Sequence, residues 1–142
     1  MYKQKVAAYA RTASDNSGQY AKRLAASWER EIKNHGNWKF AGVYIDIGDL
    51  RQRTEFDRLL DDCKHGKVDL IITPTVTRFG RNLVDAMNTV RGLFLQNHSV
   101  GVVFQREKLD TTGDGNIPAL LAIHEMVVSN SQKKTAYAAA RV

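Results

Sequence analysis

Hydrophobic and polar positions along this chain alternate between two rhythms. Val6 to Ala10 is a short apolar run closed by the polar, small-residue segment Thr12 to Gly18, the pattern of a buried strand emptying into a loop. From Gln19 to Asn34 the rhythm becomes helical. Tyr20, Leu24, Ala25, Trp28 and Ile32 recur at helical spacing until His35-Gly36-Asn37 ends the run. Trp38 to Ile45 carries aromatic and β-branched residues suited to a second strand, and Asp46 to Arg53 reads as a charged loop.

The cycle then repeats. Phe56, Leu59, Leu60 and Cys63 mark one helix face, His65-Gly66-Lys67 ends it, and Val68 to Thr73 forms a continuous apolar strand stopped by Pro74. Leu83, Met87, Val90 and Phe94 give another amphipathic helix, followed by a strand from Val100 to Phe104. Strand–helix–strand repetition predicts right-handed crossovers and a parallel sheet. Asp110 to Asn116 reads as a flexible polar connection, and Ile117 to Val128 as an apolar helix. Ser129 to Val142, alanine-rich and basic, is compatible with a projecting helix end.

A length of 142 residues fits one compact domain with a real core. The 43% hydrophobic and 25% charged fractions are those of an ordinary soluble globular chain. Twenty-one basic residues against fifteen acidic ones give a formal charge of +6, which favours an anionic partner such as nucleic acid over a merely solvated basic surface only once a site is identified. The single cysteine, Cys63, excludes an internal disulfide framework and agrees with a reducing compartment. Met1 to Lys5 is basic, but the apolar run after it is too short for a signal peptide, and no stretch approaches the roughly twenty apolar residues of a membrane span. A cytoplasmic location without a membrane partner is expected.

Chemistry is suggested by three arginines. Arg11 ends the first strand, and Arg78 and Arg81 follow the third in Thr77-Arg78-Phe79-Gly80-Arg81. Carboxyl ends of parallel strands share one sheet edge, so these guanidiniums are expected to converge there, on a phosphate. Phosphoryl transfer needs positioning and neutralisation of equatorial oxygens, which arginines supply without a metal or cofactor. The residue two past Arg11 is Ala13, with Ser14 beside it.

Tyr9-Ala10-Arg11, Tyr44-Ile45-Asp46, Arg53-Thr54-Glu55-Phe56, Val68-Asp69-Leu70-Ile71-Ile72, Thr77-Arg78-Phe79-Gly80-Arg81-Asn82 and Asp85 resemble the catalytic domain of serine site-specific recombinases, the resolvases, invertases and large integrases. Gly101-Val102-Val103-Phe104, Glu107 and Leu109-Asp110-Thr111 resemble that domain's fourth strand and following loop. The resemblance extends to about Lys134. It implies an α/β fold in three layers, a mostly parallel four- to five-stranded sheet flanked by helices and ending in a C-terminal helix. Residues 1–128 would be the catalytic domain, and 129–142 the end of a long oligomerisation helix or a frayed tail. The activity implied is attack by a serine hydroxyl on a DNA phosphodiester, followed by strand exchange in an oligomer, a dimer or tetramer. Arg11, Arg53, Arg78 and Arg81 match the arginines that hold the scissile phosphate, and Asp46 matches an acid near it.

Departures from the pattern qualify that implication. The nucleophile position falls on Ala13, which has no oxygen to attack with. A one-residue slip would make Ser14 the alternative nucleophile, but it moves the hydroxyl by about 3.8 Å, one Cα step, a shift that near-attack geometry rarely survives, so the other reading of Ser14 is a loop or helix-capping residue. The family's Ser-Gly after its acid is here Gly48-Asp49-Leu50, with a shorter loop before Arg53; its first-helix glutamine is Ala26 or Ser27; and Thr77 replaces the acid before the arginine pair. An engineered substitution would explain Ala13 but neither the loop nor the helix, which a naturally degenerate homologue explains together.

Other constellations carry structural readings. His35, His65, His98 and His124 are scattered without metal-ligand spacing, and Asp61 and Asp62 read as a solvated helix face. Gly113-Asp114-Gly115 lacks the context of a dinucleotide loop, while Trp28 and Trp38 read as core. A phospho-signalling receiver is rejected, because its acidic pair and phosphorylated aspartate would fall on Arg11-Thr12 and Thr73-Pro74. Three readings stay open: an active recombinase domain, a non-catalytic module that binds DNA or pairs with a related recombinase, and a small-molecule phosphate enzyme. Lys133, Lys134 and Arg141 would track phosphates, extend an oligomer interface or belong to a frayed end.

Overall fold

The computed structural model describes residues 2–13, 18–48 and 53–140, with side chains described to residue 130. Ser14 and Arg141, and the side chains of Lys133 and Lys134, lie outside the described residues.

Strand β1 (Gln4–Thr12) buries Val6 through Ala10 completely or nearly so, because both faces of the sheet are covered by helices. It lies between β2 (Trp38–Ile47) and β3 (Leu70–Thr73); β4 (Gly101–Phe104) follows β3, all parallel, and β5 (Leu109–Asp110) closes the edge antiparallel, giving the order β2-β1-β3-β4-β5. Alternation along the strands divides the core. Val6, Ala8, Ala10, Leu70 and Ile72 face α1 (Gln19–Asn34), which inserts Trp28 and Ile32. Ala7, Tyr9 and Ile71 face the opposite layer, formed by α2 (Thr54–Lys64), α4 (Leu83–Leu95) and α5 (Asn116–Ala140), which contribute Phe56, Leu59, Cys63, Val90, Leu93 and Ile123. The three-layer α/β fold, its mostly parallel sheet and its C-terminal helix are as expected.

Several local readings need correction. The charged segment after Ile45 does not begin as a loop: β2 continues to Ile47, and Asp46 is buried on it. A one-turn helix, α3 (Val76–Phe79), follows Pro74 where no helical period was evident. The supposedly flexible Asp110–Asn116 connection is stitched to the sheet. Thr111 exchanges hydrogen bonds with Val102, its hydroxyl accepting from the Val102 amide at 2.8 Å and its amide donating to the Val102 carbonyl at 3.0 Å. Asn116 donates to the Thr111 carbonyl at 3.2 Å. Trp38 packs against the core on the α1 side as read, but its outer face is left to stack on His35 with ring centroids 3.8 Å apart. Asp62 is not simply solvated, since it accepts the Tyr44 hydroxyl at 2.6 Å.

Candidate phosphate-binding cleft

The carboxyl ends of β1 and β3 open on a cleft of about 500 Å³. From β1 and the residue after it come Arg11, Thr12 and Ala13; from the segment after β3 come Thr75, Thr77 and Arg78. Thr75 caps α3, its hydroxyl accepting from the Arg78 amide at 3.2 Å. That turn places the Arg78 guanidinium against β1, where Nη1 donates to the Arg11 carbonyl at 2.9 Å.

Two cations are therefore held side by side. Burial lowers the pKa of Arg11, and the neighbouring charge of Arg78 lowers it further. The Arg11 Nε is buried without a hydrogen-bond partner among the described residues. An anion bound here would relieve the repulsion and accept from both forks, which suits a tetrahedral phosphate. Among the described residues, no group of three or more His, Cys, Asp or Glu side chains is placed to hold a metal ion.

Asp46 and Arg53 lie behind this wall and do not line the cleft. Asp46 pairs in register with Arg11 across β1 and β2. Its carboxylate accepts the Tyr9 hydroxyl at 2.8 Å and the amides of Glu55 and Phe56 at 2.9 and 3.0 Å. It thus caps α2 from the neighbouring strand, because the helix's own N-cap residue, Arg53, supplies no capping side-chain bond. The buried Arg53 guanidinium stacks over Phe56, 3.7 Å from its ring centroid. It donates to the Phe79 carbonyl and, at 3.4 Å, to the Tyr9 hydroxyl, and lies 3.7 Å from the Asp85 carboxylate. Burial raises the Tyr9 phenol to about 12, with Arg53 opposing and Asp46 reinforcing the shift.

Arg81 is exposed at the corner between α3 and α4 and also lies outside the cleft lining. Its amide donates to Asp85 at 2.9 Å, and Asn82 caps α4 by accepting from the Asp85 amide at 2.8 Å. Gly80 makes this corner possible: a Cβ there would meet the Ala86 backbone nitrogen at 2.5 Å. Of the expected site residues, the fold brings Arg11, Ala13 and Arg78 together. It joins Arg53 and Asp46 to each other through Tyr9.

Two lining residues escaped the sequence reading. Arg106 reaches the cleft from the turn after β4, where its amide donates to the Pro74 carbonyl at 2.9 Å and the Gln105 amide to the Thr73 carbonyl at 3.0 Å. Tyr20 reads by spacing as part of the apolar face of α1, yet it is 52% exposed and borders the cleft with Leu24. The spacing signal identifies the stripe but not where the sheet beneath it ends.

The family model described as resolvase, N-terminal domain, matches residues 6–141. Among solved structures, the N-terminal catalytic domain of TP901-1 integrase is similar with a TM-score of 0.66 and 19% identity, covering 92% of this chain and 99% of that one. A resolvase family site-specific recombinase from Streptococcus pneumoniae gives a TM-score of 0.65 at 24% identity, covering 98% and 97% of the two chains. The C-terminal catalytic domain of ISC1926 TnpA, an IS607-like serine recombinase, gives 0.55 at 16% identity, covering 92% and 97%. The search of curated proteins found no match. Among the described residues no helix is long and apolar enough to cross a membrane. With the family model matching nearly its whole length, the chain belongs to the resolvase family and carries its N-terminal domain.

Proposed function

We propose that this domain binds the phosphodiester backbone of DNA at Arg11 and Arg78 and is a degenerate homologue of the cleaving recombinases. The observation that carries the reading is Ala13, which lines the cleft with those two arginines at the position where the family resemblance puts a nucleophile. The basic net charge supports an anionic polymer as ligand. Arg53 and Asp46 support the site from behind through Tyr9, and Arg81 meets the same DNA outside the cleft.

Residues 1–128 form the DNA-contacting unit, and the remainder of α5 extends an oligomer contact. On α5, Ile117, Leu121 and Val128 are 70%, 60% and 40% exposed and fall along one helical stripe. That stripe pairs the domain with a second copy or with a related recombinase, so the protein would regulate or accompany strand exchange.

The test is DNA titration at low salt combined with denaturing gels and mass spectrometry for covalent protein–DNA products. Salt-sensitive binding without adduct is expected from the wild type and from Ala13→Ser, since the loop before Arg53 and the first helix also depart from the family pattern. An adduct with the wild type that Ser14→Ala abolishes would restore Ser14 as nucleophile and sink the degenerate reading. An adduct gained by Ala13→Ser would confine the loss to that side chain. Absence of DNA affinity at low salt would remove the phosphodiester from the proposal.

A further inference from the structure

The cleft has two chemically different walls. Arg11, Arg78 and Arg106 line it from the segments at the strand ends, while α1 supplies Tyr20 and Leu24. A phosphate alone would need only the first wall. The apolar stripe of α1 grades from Trp28 and Ile32, 4% and 0% exposed, to Tyr20 at 52%, so an aromatic ring is left uncovered where the helix borders the cleft. Such a ring calls for a ligand that carries a flat apolar face next to its negative charge.

We propose that the Tyr20–Leu24 wall seats an unpaired nucleobase of a DNA strand whose phosphate the arginines hold, with Arg106 as a third phosphate contact. The inference rests on the phosphodiester reading of Arg11 and Arg78 and adds the state of the strand. Paired bases in a duplex stack on each other and offer no free face to a side chain beside the backbone, whereas a base in a single strand does. The cleft volume, about 500 Å³, lies within the range of sites that enclose small ligands. Arg106 is placed by main-chain bonds to the β3 end, and Glu107 next to it accepts from the Val76 amide at 3.2 Å, tying the turn to α3. The third cation is thus tied to the same loop that carries Arg78.

The test compares a labelled oligothymidylate with an abasic strand of equal length and phosphate count, by fluorescence anisotropy on the whole chain across a salt series. Wild type should bind the base-bearing strand about tenfold more tightly. Tyr20→Ala should lose that preference while keeping its affinity for the abasic strand, and Tyr20→Phe should retain it. Arg106→Gln should weaken both strands and take about 0.7 from the slope of log affinity against log salt. Equal binding of the two strands by the wild type, or a preference that survives Tyr20→Ala, overturns the nucleobase seat. An unchanged salt slope in Arg106→Gln overturns the third contact. Thymidine monophosphate competing as effectively as the strand, per molecule, would overturn a DNA strand as the source of the nucleotide. Wild-type affinity for both strands in Arg11→Ala and Arg78→Ala would overturn the underlying phosphodiester reading instead.

Discussion

Arg78 Nη1 donates to the Arg11 carbonyl at 2.9 Å, so the two arginines sit at one edge although sixty-seven positions separate them in the chain. One hydrogen bond thus joins the end of β1 to α3 and brings the Arg78 guanidinium up to the Arg11 main chain. The same bond leaves the remaining donors of the Arg78 fork for a ligand.

Arg78 is exposed, and its substitution should separate binding from folding. Arg78→Ala is expected to change unfolding free energy by no more than about 0.5 kcal/mol, while reducing the salt slope of single-stranded DNA binding by about 0.7. Urea denaturation and a salt-dependent binding titration check the two halves. Arg78→Lys should not recover full affinity, because a point charge cannot reproduce the planar fork.

Arg53 should behave in the opposite way. Its buried guanidinium holds the Phe79 carbonyl and stacks on Phe56, so Arg53→Ala leaves polar partners unsatisfied and opens a void. A loss of about 3 kcal/mol in urea unfolding is expected. Any fall in DNA affinity should vanish when binding is normalised to the folded fraction. A stable Arg53→Ala variant with weakened binding would assign Arg53 a direct phosphate contact.

Alkaline stability follows from Tyr9 and Cys63. Burial raises the Tyr9 phenol from 10.0 to about 12 and the Cys63 thiol from 9.0 to about 12. Both groups lose protons more readily in the unfolded chain, so stability is intact below about pH 9 and falls progressively as pH rises to about 12. Denaturation midpoints measured across that window should decline, and Tyr9→Phe should make the decline shallower from about pH 10 upward. The opposite sign, a gain on alkalinisation, would contradict the burial of both groups.

The exposed stripe on α5 should govern association. Ile117→Glu with Leu121→Lys is expected to leave the helical circular dichroism unchanged and to shift sedimentation toward the monomer. Met87 and Leu120 flank the same stripe and line a hollow of about 270 Å³ with it, room that a partner's side chains would fill. Unchanged sedimentation would place the contact elsewhere.

Much of the frame is legible along the chain, and the exceptions have physical causes. The span of α1 follows from its apolar spacing and from the Gly36 stop, and β1 and β3 follow from uninterrupted apolar runs. Asp46 is identifiable as an acid at a strand end, but not as the cap of α2. That role depends on the β1–β2 register and on an N-cap residue, Arg53, whose side chain is turned to other partners. Arg106 has no local signature at all. It is delivered by the turn after β4, whose Gln105 and Arg106 amides find the Thr73 and Pro74 carbonyls.

The sequence by itself determined that strands and helices alternate, that their periodicity makes a parallel sheet with both faces covered, and that alanine stands two residues beyond Arg11. These are properties of spacing and residue type, so they are read without knowing any distance. Only the tertiary structure decided which arginines share a cavity. A strand end specifies the edge a residue reaches, but the last few ångströms depend on long-range contacts. The close approach of Gly80 to Ala86 shapes the corner that carries Arg81 outside the cleft lining, the stack on Phe56 draws Arg53 into the core, and the bond to the Arg11 carbonyl holds Arg78 at the mouth.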